Sequence, residues 1–288
     1  MARAGSRPER GPGARRRDRP AKGRPADRVP ARREPHPYLG ELLYGRNAAL
    51  EALRARRRRV EYLAVATGAQ RTGTLAQIVE LAQARGIPVR EVDRLQLDEA
   101  VPGHQGLALH VGPYPYADLD ALVERVGPHA LFLLLDCIED PQNLGTLLRT
   151  ADAVEVAGVV IPEHRAAAVT PAVSNASAGA VEHLSIARVP NLVHAMEQLR
   201  EAGTWIIGLE DVPEAQAYDE VDWHGPLAVV VGSEGRGMRR LVRERCDLLV
   251  RLPIAGHTGS LNAAVAGSIA LYHAWRVRER ELEPGERR

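Results

Sequence analysis

Two glycine-rich stretches in the C-terminal half of the chain constrain the fold most strongly. Residues 229–238 read VVVGSEGRGM and residues 251–267 read RLPIAGHTGSLNAAVAG. Each runs from an apolar segment through a turn towards a helix, and consecutive β-branched residues such as Val229, Val230 and Val231 are typical of a strand buried in a parallel sheet. Open α/β sheets bind ligands beside the carboxyl ends of their strands, so the two turns predict a small-molecule site.

Glycine spacing alone does not identify a ligand. Gly232, Gly235 and Gly237 give the pattern G-x-x-G-x-G, which differs from the dinucleotide-binding fingerprint, and no P-loop lysine follows. The pattern therefore argues against a nucleotide-binding dehydrogenase. The same glycines also fit plain strand-to-helix turns with no ligand.

Apolar strands alternate with helices along most of the chain. Residues 131–136 (LFLLLD) form the first of several strands that are separated by single helices. Such alternation predicts βαβ units and a mostly parallel sheet in an α/β fold. We expect four parts: a basic arm (1–36), a smaller α/β domain (37–112), a linker (113–128) and a larger α/β domain (129–288).

Length and composition fit a protein with a sizeable core. The chain has 288 residues, of which 45% are hydrophobic. No apolar run approaches the length of a membrane span and the N-terminus lacks the apolar segment of a secretory signal, so we expect a cytoplasmic protein without a membrane partner. Cys137 and Cys246 are too few and too isolated for a disulfide framework or a C-x-x-C metal site.

Charge is distributed unevenly along the chain. Residues 1–36 contain twelve basic and four acidic side chains, a net charge of +8, whereas the remaining residues contain 26 basic and 33 acidic side chains, a net charge of −7. A basic arm on a mildly acidic body indicates either contact with a polyanion such as RNA or a solvated tail. Five of the six residues 54–59 are also arginines, which predicts an RNA-facing patch or charges that complement a helix dipole. Their density favours the patch.

A third stretch lies between the first strand and the first helix of the larger domain. Residues 136–151 read DCIEDPQNLGTLLRTA. Asn143 is a candidate both for the cap of the helix and for a contact to the substrate, and we expect Gly145 to let another backbone approach the first turn of the helix. Arg149 lies six residues beyond Asn143, nearly two helical turns on, so its head group is expected to project from the same region.

Together, the three stretches closely resemble the signature motifs of the SpoU/TrmH family of RNA ribose 2′-O-methyltransferases, in order and in spacing. Residues 177–184 (SAGAVEHL) resemble the middle segment of the family. Residues 103–106 (GHQG) resemble the stretch before the last strand of its N-terminal substrate-binding domain. This two-part arrangement is similar to the RlmB-type branch of the family.

The resemblance implies a fold, an assembly and an activity. Family members have a deep trefoil knot at the C-terminal end of the sheet, where residues 248–280 of this chain would pass through a loop of the preceding chain, and they form homodimers through the knotted domain. The implied activity is 2′-O-methylation of a ribose, expected to be that of a guanosine in large-subunit (23S) ribosomal RNA, with S-adenosylmethionine as cofactor. A tRNA target, the ribosomal site of thiostrepton resistance and a non-catalytic ribosome-assembly protein remain alternatives.

The resemblance also assigns site residues, and it requires no metal. The residues expected to bind the cofactor are Leu209, Gly232, Leu252, Ile254, Gly256 and Leu261. The residues expected to act on the substrate are Asn143, Arg149, Glu234, Ser260 and Asn262.

Several of these roles have structural alternatives. Arg149 is the leading catalytic candidate, and because a guanidinium stays protonated we favour electrostatic stabilisation of the incipient alkoxide over a role as base. Arg149 also fits an ion pair with Glu155. For Glu234 two contacts remain open: an ion pair with Arg149 across a dimer, or hydrogen bonds from the amides of its own turn. Ser260 fits an N-cap of the last helix as well as a substrate contact.

Overall fold

The computed structural model describes residues 41–101 and 103–279, and its N-terminal part is built on a four-stranded sheet. The elements of this part are β1 (Glu41–Tyr44), α1 (Arg46–Ala55), β2 (Val60–Ala66), α2 (Thr74–Ala84), β3 (Val89–Val92), α3 (Arg94–Ala100) and β4 (Leu107–Val111). The strand order is β1-β4-β2-β3, with β2 parallel to β3 and β4 antiparallel to both β1 and β2. The basic arm at residues 1–36 lies outside the described residues.

The C-terminal part is built on a seven-stranded sheet. Its elements are α4 (Leu119–Val123), β5 (Leu131–Asp136), α5 (Pro141–Ala153), β6 (Gly158–Pro162), α6 (Pro171–Ala176), β7 (Ile186–Val189), α7 (Leu192–Glu201), β8 (Trp205–Leu209), β9 (Gln216–Ala217), β10 (Leu227–Gly232), α8 (Arg240–Glu244), β11 (Leu248–Arg251) and α9 (Ala263–Glu279). The strand order is β7-β6-β5-β10-β8-β11-β9, and neighbouring strands are parallel. The predicted α/β fold is confirmed, whereas the threading of residues 248–280 stays a prediction.

The central strands are apolar on both sides because both faces of the large sheet are covered. Leu133 of β5 packs into one hydrophobic cluster with Leu147 of α5 and Leu271 of α9. Phe132, its neighbour along β5, packs into a second cluster with Met196 of α7. Continuous apolar strands such as LFLLLD follow from this two-sided burial.

The segment predicted as a linker, residues 113–128, is more ordered than expected. It contains α4, whose Leu122 is fully buried against the large sheet. Ala117 also forms a parallel bridge with Ala187 of β7. The segment therefore belongs to the packing of the C-terminal part, and the domain boundaries at residues 112 and 129 stay a proposal.

Two arginines of the 54–59 cluster form an internal contact, so the expected RNA-facing patch is wrong for them. Arg58 is 3% exposed and donates from Nε to Glu182 at 2.9 Å and from Nη1 to Glu41 at 2.9 Å. Arg57 donates to the carbonyl oxygen of Leu184. Because Glu182 and Leu184 follow α6 in the C-terminal part, these arginines join the two parts of the molecule.

Glycines permit two close approaches near this contact. At Gly145 of α5, an added Cβ would lie 2.4 Å from the Cβ of Ala176 at the end of α6, which confirms the predicted approach. At Gly179, where φ is +89°, an added Cβ would lie 2.7 Å from the Cβ of Glu51 in α1. Residues 177–180 (SAGA) therefore allow α1 of the N-terminal part to pack closely against the C-terminal part.

Candidate active site

A cavity of about 710 Å³ opens beside the carboxyl ends of β8, β10 and β11. Its volume falls in the range of small-molecule sites. Five of the six residues assigned to the cofactor line it: Leu209, Gly232, Leu252, Ile254 and Leu261. Gly256, the sixth, is exposed and is not part of this wall. Glu234, Ser260 and Asn262 line the same cavity, which places residues from the second and third motifs together.

Side chains from all three motifs meet at the edge of this cavity. Asn143 donates from Nδ2 to Oε1 of Glu234 at 3.0 Å. Asn262 donates from Nδ2 to Oδ1 of Asn143 at 2.9 Å and also to Oε1 of Glu234. The Glu234 carboxylate therefore accepts from two side-chain amides, which differs from both contacts considered for it from the sequence.

The helix caps explain why Asn143 is available for this cluster. Asp140 caps α5 by accepting from the N–H of Gln142 at 3.0 Å, so the predicted capping by Asn143 is wrong. Asn262 caps α9 by accepting from the N–H of Ala264 at 2.9 Å, and the expected N-cap role of Ser260 is also wrong. Asn262 thus combines a cap through its oxygen with the contact to Glu234 through its nitrogen.

Gly232 is required by the turn itself. An added Cβ at Gly232 would lie 2.4 Å from the carbonyl carbon of Gly237 and 2.5 Å from the nitrogen of Met238. The space on the Cβ side of Gly232 is thus filled by the backbone of Gly237 and Met238. The turn closes through two backbone hydrogen bonds between Ser233 and Gly237, at 3.0 and 3.1 Å.

Arg149 lies on the same helix as Asn143 but not in the cavity wall. A rise of about 1.5 Å per residue places it about 9 Å along α5 from Asn143. Its side chain is exposed. The adjacent Thr150 shares a hydrogen bond of 2.8 Å with Ser268 of α9. Arg149 therefore lies beside the contact between α5 and α9.

Comparisons with known proteins identify the family. The model of the SpoU rRNA Methylase family matches residues 130–272, and a model described as RNA 2′-O ribose methyltransferase substrate binding matches residues 42–117. YacO of Bacillus subtilis (strain 168), named for the TrmH family of tRNA/rRNA methyltransferases, is 43% identical over 242 residues, or 83% of this chain and 96% of that protein. The chain belongs to the SpoU family of RNA methyltransferases.

Two further SpoU relatives bear on the activity. The 23S rRNA (guanosine-2′-O-)-methyltransferase RlmB of Pseudomonas syringae pv. tomato is 38% identical over 248 residues, or 85% of this chain and 98% of that protein. The crystal structure of the SpoU methyltransferase AviRb from Streptomyces viridochromogenes, in complex with AdoMet, matches with a TM-score of 0.70 and 27% identity over 82% of this chain and 90% of that chain. The family resemblance inferred from the three motifs is confirmed.

An ion pair that the motifs did not single out fixes the SpoU turn at residues 232–238. Asp136 ends β5 and is fully buried. Arg239 donates to its carboxylate from the backbone N–H at 2.7 Å and from Nε at 2.7 Å. The end of the turn is thereby anchored to the neighbouring strand. In the sequence, Asp136 is recognisable as the one charged residue at the end of the apolar strand LFLLLD.

Glu210 is a second polar residue of the cavity that the sequence analysis did not select. It follows β8 directly and lines the cavity beside Leu209. Burial raises its pKa, and the Arg243 guanidinium and the Met238 N–H oppose that rise. An acidic residue at the carboxyl end of a buried strand was the available signal, but no motif pointed to it.

The GHQG stretch forms the rim of a cavity in the N-terminal part. This cavity has a volume of about 770 Å³, and Arg46 and Arg94 are among its lining residues. His104 is buried, and its Nδ1 accepts from the N–H of Gly106 at 2.9 Å, so its Nε2 donates to Asp98 at 2.8 Å. The rim is thus held by local hydrogen bonds, within the region matched by the SpoU substrate-binding model.

The described part of the chain contains neither a metal-binding cluster nor a membrane-spanning helix. Across residues 41–101 and 103–279, no cluster of three or more His, Cys, Asp and Glu side chains is arranged to hold a metal ion. In the same residues, none of the helices has the length and apolar character needed to cross a membrane.

Proposed function

We propose that this chain methylates the 2′-hydroxyl of a ribose in large-subunit (23S) ribosomal RNA, that of a guanosine, with S-adenosylmethionine as methyl donor. The observation that carries the proposal is the meeting of Asn143, Glu234 and Asn262, one from each SpoU motif, at the edge of the cavity. The similarity to RlmB of Pseudomonas syringae supports the guanosine of 23S ribosomal RNA as target. The proposed substrate in turn supports a cytoplasmic location.

The residues of the cavity fit S-adenosylmethionine. Leu209, Ile254 and Leu261 provide apolar surface for an adenine, and the turns at residues 232–237 and 252–261 provide backbone donors and acceptors. Glu234 provides a carboxylate for the cationic end of the cofactor. The bound cofactor supplies a methyl group that its sulfonium already activates, so the protein has to orient the acceptor and help it lose a proton.

Different polar residues orient the acceptor ribose and stabilise the charge that develops on it. The amides of Asn143 and Asn262 hold the Glu234 carboxylate in one place, and together they form a polar edge that can orient a ribose. Arg149 stabilises the negative charge that develops on the 2′-oxygen as its proton leaves, because a guanidinium attracts an alkoxide strongly in a site that excludes water. Ser260 contacts the substrate from the cavity wall.

A homodimer through the C-terminal part explains the position of Arg149. Four large apolar side chains on one side of α9 and the residues before it are 36–46% exposed: Leu261, Val265, Ile269 and Tyr272. A contiguous apolar surface of this kind marks an association site. Arg149 lies beside the contact between α5 and α9 and outside the cavity of its own protomer, so we propose that it acts in the site of the partner.

The RNA contacts are assigned to the N-terminal part and the arm. The cavity bounded by Arg46, Arg94 and the GHQG stretch offers two guanidinium groups for phosphates. The basic arm at residues 1–36 would add attraction to RNA that weakens as salt rises.

Mapping of 2′-O-methyl groups in a deletion strain tests the proposed target. The proposal predicts that one guanosine of 23S ribosomal RNA loses its methyl group and regains it when the wild-type chain is restored. Loss of methylation from a tRNA would instead favour the alternative target, to which the tRNA/rRNA name of YacO also points. Unchanged methylation of all RNA would favour the non-catalytic alternative.

A further inference from the structure

Glu210 carries a buried acceptor that has no partner in the described part of the protein. Its backbone N–H donates to the carbonyl oxygen of Val250 at 3.0 Å, which fixes Glu210 at the carboxyl end of β8 beside β11. Its side chain is only 12% exposed, and its Oε2 atom has no hydrogen-bond partner among residues 41–101 and 103–279. Leaving such an acceptor unpaired is unfavourable, so a ligand group that donates to it is expected.

The second SpoU motif positions this carboxylate. The turn passes close to the carboxylate at Gly237, where an added Cβ would lie 2.7 Å from Oε1 of Glu210. Gly237 has a φ of +65°, a backbone conformation that favours glycine. On the other side, the Arg243 guanidinium lies 3.5 Å from the same Oε1 atom. Oε1 is therefore occupied on both sides, and Oε2 remains for a ligand in the cavity.

The position of Glu210 indicates which end of S-adenosylmethionine it meets. The exposed cluster of Asn143, Glu234 and Asn262 is where a ribose of RNA can arrive, so the sulfonium end of the cofactor belongs there. The nucleoside end is left for the buried part of the cavity. Glu210 already has a cationic neighbour in Arg243, and a hydroxyl supplies the missing donor without adding a charge to a buried site.

We infer that Oε2 of Glu210 accepts a hydrogen bond from a ribose hydroxyl of bound S-adenosylmethionine, an inference that rests on the proposed function. Glu210 is then a cofactor-binding residue that discriminates a ribonucleoside from its deoxy analogues. The selection arises because a ligand without the hydroxyl leaves the buried carboxylate unpaired.

Calorimetric titration with three kinds of ligand tests the inference without measuring methyl transfer. The first ligand is S-adenosylhomocysteine. The second comprises its 2′-deoxy and 3′-deoxy forms. The third is 5′-methylthioadenosine, which retains adenine and ribose but lacks the amino acid. For the wild-type chain, removing the correct hydroxyl should weaken binding by about tenfold or more, the range of a hydrogen bond to a charged group.

The variant Glu210→Gln should weaken binding of S-adenosylhomocysteine and of 5′-methylthioadenosine by the same factor. Removal of the hydroxyl should then have little further effect in the variant, because its charged acceptor is gone. Glu214→Gln is the matched control, since it removes the same charge from an exposed residue four positions away that does not line the cavity. Its affinities should stay within about twofold of wild type, as for an exposed charge in water.

The outcomes separate this inference from the function on which it rests. If both deoxy forms bind the wild-type chain as tightly as S-adenosylhomocysteine does, Glu210 does not accept a hydrogen bond from the ribose. This result does not depend on whether the variant folds. If Glu210→Gln weakens S-adenosylhomocysteine and leaves 5′-methylthioadenosine unchanged, the carboxylate binds the amino-acid end and the inference is overturned. Failure of the wild-type chain to bind any of these ligands would contradict the proposed function itself.

Discussion

Replacing Arg58 by methionine should destabilise the protein strongly, because Arg58 neutralises buried acid at the junction of the two parts. Its Nε lies 2.9 Å from Oε2 of Glu182, which is almost fully buried. Glu182 also accepts from the hydroxyl of Ser174 at 3.0 Å. The guanidinium carbon lies 5.0 Å from the ring centroid of Tyr114, a packing contact that methionine retains in part. The main effect of Arg58→Met is therefore an uncompensated carboxylate at Glu182.

The expected loss is about 3–5 kcal/mol in the free energy of unfolding, the range for breaking one side of a buried ion pair. Combining Arg58→Met with Glu182→Gln removes the orphaned charge, so the double variant should be more stable than Arg58→Met alone. Arg59→Met provides the matched control, because the Arg59 side chain is 84% exposed and its nearest acid, Glu61, is 3.9 Å away. The control should change stability by less than about 0.5 kcal/mol.

Urea denaturation followed by circular dichroism measures all four proteins under one set of conditions. A loss of less than about 1 kcal/mol for Arg58→Met would refute the role of Arg58 as the neutralising partner, since that is the level of exposed ion pairs. A double variant less stable than Arg58→Met would also refute it.

Four other predictions follow from the structure. Burial raises the pKa of Tyr114 to about 12, so the folded protein keeps a proton that the unfolded chain loses near pH 10. Raising the pH from 10 to 11 should therefore lower the free energy of unfolding of wild type by about 1 kcal/mol more than that of Tyr114→Phe. Urea denaturation at the two pH values measures the difference. Asn262→Ala removes the cap of α9 and should lower the free energy of unfolding by about 1 kcal/mol, measured in the same way. Ile269→Glu places a charge among the exposed apolar side chains of α9, so light scattering should detect the proposed homodimer for wild type and monomers for the variant. Arg149→Ala should abolish methyl incorporation into ribosomal RNA while calorimetric binding of S-adenosylhomocysteine stays near that of wild type; loss of binding would make Arg149 structural.

The strands of the larger sheet were predictable because a strand buried on both faces is apolar along its whole length, which the sequence shows directly. Residues 131–136 are apolar without interruption, and β5 occupies those positions. The helix that follows was harder to place, because Asp140 and Asn143 are both good N-caps and only tertiary contacts decide between them. The same ambiguity applied to Ser260 and Asn262, where the later residue proved to be the cap.

The arginine cluster at residues 54–59 shows what local sequence cannot supply. A run of charged residues is normally solvated. Arg58 is buried instead, and Glu182, the acid that pairs with it, lies 124 residues further along the chain. Glu210 was missed for a related reason, because its significance depends on Gly237 and Arg243, which approach it only in the folded chain. The motifs brought Asn143, Glu234 and Asn262 together correctly, but their mutual hydrogen bonds required the structure.

Transfer of a labelled methyl group from S-adenosylmethionine to 23S ribosomal RNA tests the central claim most directly. The product is digested and the labelled nucleoside identified. The account predicts label in 2′-O-methylguanosine at one position with the wild-type chain, and none with Arg149→Ala at equal binding of S-adenosylhomocysteine. Label on a base, or equal incorporation by the two proteins, would contradict it.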